Sequence, residues 1–211
     1  MQPSPADLRA LARRDPALGR AMKRLEPFPG FPTSDHRRLT PYQAIARAIV
    51  FQQLAGAAAS TIHGRVCKLT PGPHFPAAAE LLALPDETLR SAGLSRAKLA
   101  ALRDLATHVE NGTLDFRRLV RAPDETVVEA LTQVRGIGPW TARMFLLFRL
   151  GRLDVFAPDD LGLREGARLL DGLAERPTPK ELEARAEPWR PLRSVASWYL
   201  WRLVDSAKKS D

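Results

Sequence analysis

Helix-start signals recur along this chain and strand signals do not, and that imbalance limits the fold more than any other feature. Thr40-Pro41-Tyr42-Gln43 supplies an N-cap threonine, a proline at the first helical position and a glutamine placed to reach back to the cap. Thr178-Pro179-Lys180-Glu181 repeats the pattern. Ala44, Ile45, Ala48 and Ile49 follow the first start at helical spacing. Ser95 precedes RAKLAALRDLATHVE, which stops at Asn111-Gly112, and the run RSVASWYLWRLVDSA carries Val195, Trp198, Leu200, Trp201 and Val204 near the same spacing. No stretch alternates apolar and polar residues with a period of two, and no Asn-Gly turn joins two such stretches. The chain reads as all-α, punctuated by Pro-rich loops at 27–39 and 70–76.

One internal echo is visible. LPDETLRSAGLSRAKLAAL (84–102) and APDETVVEALTQVRGIGPWTARMFL (122–146) both read as short helix, glycine turn, longer helix, each started by Pro-Asp-Glu-Thr with proline in the first turn. Two copies are too few for a solenoid, and reuse of a convenient helix start accounts for them.

At 211 residues the chain suits one domain or two small lobes. Its 32 basic against 24 acidic residues leave a net charge of +8, which favours a polyanion or an anionic surface as partner, although solvated basic faces give the same count. Cys67 is the single cysteine, which excludes an intramolecular disulfide, a cysteine-rich zinc site and a four-cysteine iron–sulfur cluster, and 4 scattered histidines argue against a histidine metal site. MQPSPADLRALARRD lacks the apolar core of a signal peptide and no apolar run approaches membrane-spanning length, so a cytoplasmic protein with no membrane partner is expected.

Two stretches stand apart from the helical background. In VRGIGPWTARMFLLF (134–148) one helix ends and another begins around Gly136-Ile137-Gly138-Pro139. Glycines supply positive φ and allow close backbone approach, Ile137 can plug into the core, and Pro139 suits a first helical turn. The turn is either plain helix-to-helix punctuation or an anion grip made by amides at a helix N-terminus. Further on, DVFAPDDLGLR (154–164) sets Asp159 and Asp160 side by side after Pro158. Adjacent acids after proline are either a helix cap or a chemical pair.

Taken together, VRGIGPWTARMFLLF and DVFAPDDLGLR resemble the helix–hairpin–helix DNA glycosylases with a Gly/Pro-Asp loop, and within them the bacterial 3-methyladenine DNA glycosylase II group. The resemblance extends through IVFQQLAGAAASTIHGRV (49–66), GLSRAKLAALRDLA (93–106) and WRPLRSVASWYLW (189–201). It implies a phosphate-gripping turn and two helical lobes with a cleft between them. Residues 1–39 form a helical extension and loop in place of the β-sheet domain of some members, and 40–211 form the core. The hairpin spans 131–148, the catalytic loop 154–164, and terminal helices over 179–207 pack back on the N-terminal lobe.

The resemblance also implies roles. Asp160 is the catalytic carboxylate, stabilising an oxocarbenium-like deoxyribose and orienting or deprotonating water, while Asp159 caps the following helix. The target base is flipped out of double-stranded DNA into a pocket at Trp140, Met144, Leu161 and Trp201, where Met144 and Leu161 replace family aromatics. For the two tryptophans, core packing is the alternative. Gln53 stands where the family places a hydrophobic wedge. The amides of Gly136 and Gly138 contact phosphates, helped by Arg135, with Arg143, Arg96 and Lys98 as further basic candidates. No cofactor is required, and carbonyls of Thr132, Val134 and Ile137 are placed to hold a structural monovalent cation.

The expected activity is excision of alkylated purines, 3-methyladenine first, from damaged double-stranded DNA by a monomeric, nucleoid-associated enzyme that leaves the strand uncut. Strand-cutting relatives place a lysine where Trp140 stands, and no lysine lies between Lys98 and Lys180. Two rivals are the same fold acting on deaminated or mismatched bases, and a non-catalytic hairpin DNA-binding protein.

Overall fold

Both threonine-proline starts form reciprocal caps. The Gln43 amide donates to Thr40 Oγ1 at 3.2 Å and the Thr40 amide to Gln43 Oε1 at 2.9 Å. The Glu181 amide donates to Thr178 Oγ1 at 3.3 Å and the Thr178 amide to Glu181 Oε2 at 2.7 Å. The structure, a computed structural model, describes residues 2–32 and 37–209, and all regular structure among them is helical. Positions 33–36 of the expected 27–39 loop lie outside the described residues. Among those described, no helix is long and apolar enough to cross a membrane.

The chain divides into two compact units, one made of Met1–Thr33 with Leu146–Asp211 and the other of Ser34–Phe145. The first contains α1 (Pro5–Arg14), α2 (Pro16–Arg24), α11 (Leu161–Asp171), α12 (Pro179–Arg185), a 3-10 turn (Glu187–Trp189) and α13 (Arg193–Ala207). α11 packs on α13, and both pack on α2. Leu11, Leu18, Trp189, Val195 and Leu200 are fully buried there, each side chain contributing about 2 kcal/mol by leaving water. Asp15 is a buried charge made tenable by its donors. It accepts from the Leu18 amide at 2.9 Å and Trp189 Nε1 at 2.6 Å, and pairs with Arg185 at 2.7 Å. Burial alone would push its pKa up, but Arg185, the Leu18 amide and the indole together hold it below the usual carboxylate value.

The second unit contains α3 (Pro41–Phe51), α4 (Gly56–Cys67), α5 (Ala78–Ala83), α6 (Asp86–Ser91), α7 (Arg96–Glu110), α8 (Phe116–Leu119) and α9 (Asp124–Thr132). The division falls within α10 (Pro139–Phe148). α7 starts at the Ser95 cap, ends before Asn111-Gly112 as the sequence indicates, and buries Leu99, Leu102 and Leu105 against α3, α5 and α6. The two Pro-Asp-Glu-Thr starts differ by one position from expectation. Pro85 and Pro123 are extended N-cap residues (ψ 145° and 153°), so the helices begin at Asp86 and Asp124.

Candidate active site

The loop leading to the acid pair is pinned by the first turn of α13. Fully buried Ser194 accepts the Val155 amide at 3.0 Å, donates its hydroxyl to the Arg152 carbonyl at 2.7 Å, and donates its own amide to the Leu153 carbonyl at 3.0 Å. Arg193 pairs with Asp154 at 2.9 Å. Val155, Phe156 and Ala157, within this strap, are buried. Neither Ser194 nor Arg193 is singled out by the sequence.

The strap ends in a turn closed by the Asp160 amide on the Ala157 carbonyl at 3.0 Å, which leaves Asp160 extended (φ −66°, ψ 121°) at the N-terminus of α11. The helix cap is therefore Asp160, whose Oδ1 accepts the Leu163 amide at 2.7 Å. The expectation that Asp159 caps the helix is corrected: Asp159 is exposed one residue earlier in the turn. Trp201 Nε1 donates to the same Asp160 Oδ1 at 3.1 Å. Two N–H donors from different elements thus fix this carboxylate, which is only 9% exposed. Gly162 makes the arrangement possible, since a Cβ there would lie 2.9 Å from Trp201 Cδ1 and 3.0 Å from Asp160 Oδ1.

Trp201 is half-buried and stacks on Phe148, ring centroids 5.7 Å apart. Phe148 meets Phe31 edge-on at 5.3 Å, and Phe28 links Phe31 to Trp198 at 5.0 and 5.8 Å. The rings in this chain of contacts are mostly phenylalanines that the sequence pattern did not mark. Leu161, beside the acid, is 61% exposed. In the second unit Trp140 is 44% exposed, so it is not ordinary core, whereas Met144 one turn later is buried at 9%.

The hairpin joins α9 to α10. The Val134 amide donates to Leu131 and the Ile137 amide to Val134, each at 3.1 Å, and Ile137 is buried as a plug. Only Gly136 takes positive φ (77°), and a Cβ there would stand 3.3 Å from that of Ala101, while Gly138 faces open space. Of the two freedoms expected of glycine in this turn, positive φ is used at Gly136 and open space is left at Gly138. The amides of Gly136 and Gly138 have no acceptor among the described residues. Arg135 anchors the turn through its own amide, which donates to Asp104 Oδ2 at 2.7 Å, and its side chain lies in an exposed position. Thr132 ends α9, with its hydroxyl turned back to the Val128 carbonyl at 2.9 Å.

Gln53 lies exposed in the turn after α3, with φ 54°. Its neighbour Gln52, unmarked by the sequence, donates Nε2 to the Gly136 carbonyl at 3.0 Å. Arg96 is exposed and Arg143 half-buried. Lys98 is not a free surface cation: its ammonium donates to the Val50 carbonyl at 2.7 Å, and burial holds its pKa below the usual value.

A loop-borne carboxylate fixed by an indole in one unit, and a glycine hairpin in the other, are features that comparison with known proteins makes specific. The sequence profile of the HhH-GPD superfamily of base excision DNA repair proteins matches residues 46–191. DNA-3-methyladenine glycosylase 1 of Schizosaccharomyces pombe is 34% identical over 181 residues, covering 84% of this chain and 79% of that protein. The crystal structure of a DNA-3-methyladenine glycosidase from Bacillus halodurans superposes with a TM-score of 0.85 at 36% identity, covering 99% of this chain and 94% of the other. A 3-methyladenine DNA glycosylase of S. pombe in complex with abasic DNA gives 0.83 at 32%, covering 93% and 95%. The chain belongs to the HhH-GPD superfamily of base excision DNA repair proteins.

Proposed function

We propose that this protein is a monofunctional DNA glycosylase that hydrolyses the N-glycosidic bond of alkylated purines, with 3-methyladenine the leading substrate. The observation that carries the reading is Asp160, held by the Leu163 amide and the Trp201 indole in the loop that follows the hairpin. A purine alkylated at N3 or N7 already bears positive charge and leaves with the bonding electron pair without needing a strong acid. The deficit passes to C1′ and the ring oxygen, where a preorganised carboxylate is worth most. Water then adds to C1′ and gives up a proton, with Asp160 as the acceptor.

For the chemistry to occur the base must leave the stack. Trp201, Trp140, Met144 and Leu161 are assigned to its pocket, and Gln53 to the gap it leaves. The Gly136 and Gly138 amides, with Arg135, are assigned to phosphates beside the lesion. Carbonyls of Thr132, Val134 and Ile137 are assigned to a structural monovalent cation. Thr132 closes α9 while Val134 and Ile137 follow in the turn, so these three neutral oxygens suit a weakly charged ion, although the Val134 carbonyl already accepts the Ile137 amide.

The position used by strand-cutting relatives for a Schiff-base lysine holds Trp140, whose indole nitrogen is no nucleophile. The test is base release from duplexes that each carry one defined lesion, with strand breaks scored before and after hot alkali. Release of 3-methyladenine with breaks only after alkali is expected. Breaks without alkali, together with a borohydride-trapped complex, would refute the monofunctional assignment. Release confined to deaminated or mismatched bases would refute the substrate assignment.

A further inference from the structure

We infer that Gln52 is a positioning residue that ties the turn carrying Gln53 to the hairpin, so that a phosphate held at the hairpin sets how far Gln53 enters a duplex. The inference rests on the DNA-directed reading above. α3 ends at Phe51, and its last bonds are closed by the Gln52 amide on Ala48 at 3.2 Å and by Lys98 Nζ on Val50 at 2.7 Å. The chain then leaves the helix through Gln53 in left-handed backbone, φ 54°. That conformation costs a residue with a Cβ about 1–2 kcal/mol. Gln53 is exposed, so burial of its side chain does not offset the cost. A strained residue at an exposed turn points to a use outside the fold.

The Gln52 carboxamide supplies the tie. Its Nε2 donates to the Gly136 carbonyl at 3.0 Å, across 84 positions of sequence. The peptide it grips lies between the two hairpin amides that lack acceptors among the described residues, those of Gly136 and Gly138. α7 holds the other side of the same assembly. Lys98 holds the end of α3, Ala101 meets Gly136, and Asp104 accepts the Arg135 amide at 2.7 Å. These three positions, spaced three residues apart on α7, place the end of α3 and the hairpin on one helix, and none of them reaches the turn at Gln52 and Gln53. Among the described residues, the Gln52 side chain joins turn and hairpin directly.

A merely structural Gln52 would add the small stability of a partly exposed neutral hydrogen bond and nothing more. A positioning Gln52 must be coupled to Gln53. The full-length protein is titrated onto a duplex with 2-aminopurine beside a stable abasic-site analogue, where fluorescence reports local unstacking without any bond cleavage. Gln52→Leu, which keeps the bulk and loses the donor, is expected to lower the ratio of unstacked to stacked DNA about three- to tenfold, the equivalent of one hydrogen bond. Gln52→Asn, too short to reach Gly136, serves as the second variant and is expected to match it. Affinity for undamaged duplex should stay within about twofold, because the hairpin amides remain. Gln53→Ala should lower unstacking in the wild-type background and change it little in the Gln52→Leu background.

Wild-type unstacking in both Gln52 variants, or losses from Gln52→Leu and Gln53→Ala that simply multiply, would overturn the inference, as would a wild-type protein that unstacks nothing. The two readings fail separately. Protein that unstacks through a coupled Gln52–Gln53 pair yet releases no base from any lesion would sink the glycosylase assignment alone. Protein that releases base while Gln52→Leu unstacks normally would sink this inference alone.

Discussion

Asp160 puts two demands on one carboxylate oxygen, because Oδ1 accepts both the Leu163 amide that starts α11 and the Trp201 indole. Substitution can separate cap from chemistry. Asparagine caps helices about as well as aspartate and keeps an Oδ1 acceptor for both donors, so Asp160→Asn should change stability by only about 0.5 kcal/mol. Under the proposed mechanism the same variant loses the charge assigned to the oxocarbenium-like centre and should slow single-turnover base release about 10²-fold or more. Asp160→Ala should lose the cap as well, about 1 kcal/mol, readable as a melting temperature lower by about 2–4 °C. Undiminished release by Asp160→Asn would remove the residue from the mechanism, and a comparable loss in folded Asp159→Asn would move the role one position back. The sequence showed the acid pair and its proline but not which acid caps the helix. That is decided by the turn bond from the Asp160 amide to Ala157, and by an indole 41 positions away. No local pattern encodes either contact.

At the scale of elements, the locally specified signals were legible. The Thr-Pro starts, the Ser95 cap and the Gly112 stop are written within a few residues of where they act, and they appear where expected. The hairpin was legible as a turn, but its two glycines are not equivalent. Gly136 needs positive φ and lies against Ala101, whereas Gly138 has neither constraint. Gly136→Ala should therefore destabilise the protein by about 1–2 kcal/mol through left-handed backbone strain. Gly138→Ala should leave stability within about 0.5 kcal/mol while crowding the open side of the turn assigned to phosphate. Chemical denaturation and duplex binding, measured on both variants, check this. Weakened binding by Gly138→Ala with an intact fold supports the grip, and equal destabilisation by both would contradict the geometry. The strap before Asp160 was not legible, because Ser194 and Arg193 hold it from a helix that comes about 40 residues later.

Across the whole molecule, the basic excess was legible from the count, but which cations remain available for a partner was not. Several are committed internally: Arg103 to Asp86, Arg185 to Asp15 and Asp171, and Arg193 and Arg190 to Asp154. Arg168 and Arg176 both engage Glu165 and draw its pKa down to about 2, so that pairing persists at any pH used for a binding assay. The count of 32 basic residues therefore overstates the number of phosphate contacts. Hairpin amides plus a few unpaired side chains should neutralise roughly three to six phosphates, which gives a slope of log affinity against log salt of about −3 to −5 on undamaged duplex. Arg135, exposed on the turn, should contribute one of those contacts, so Arg135→Ala should make the slope shallower by about 1. Arg168→Ala removes the same formal charge from an internally paired site and should leave the slope unchanged. Titrating the three proteins across a range of salt concentrations separates specific contact from bulk charge. Equal effects of the two substitutions would mean that net charge alone governs binding, and a flat response in the wild type would mean that the basic surface serves a partner other than DNA.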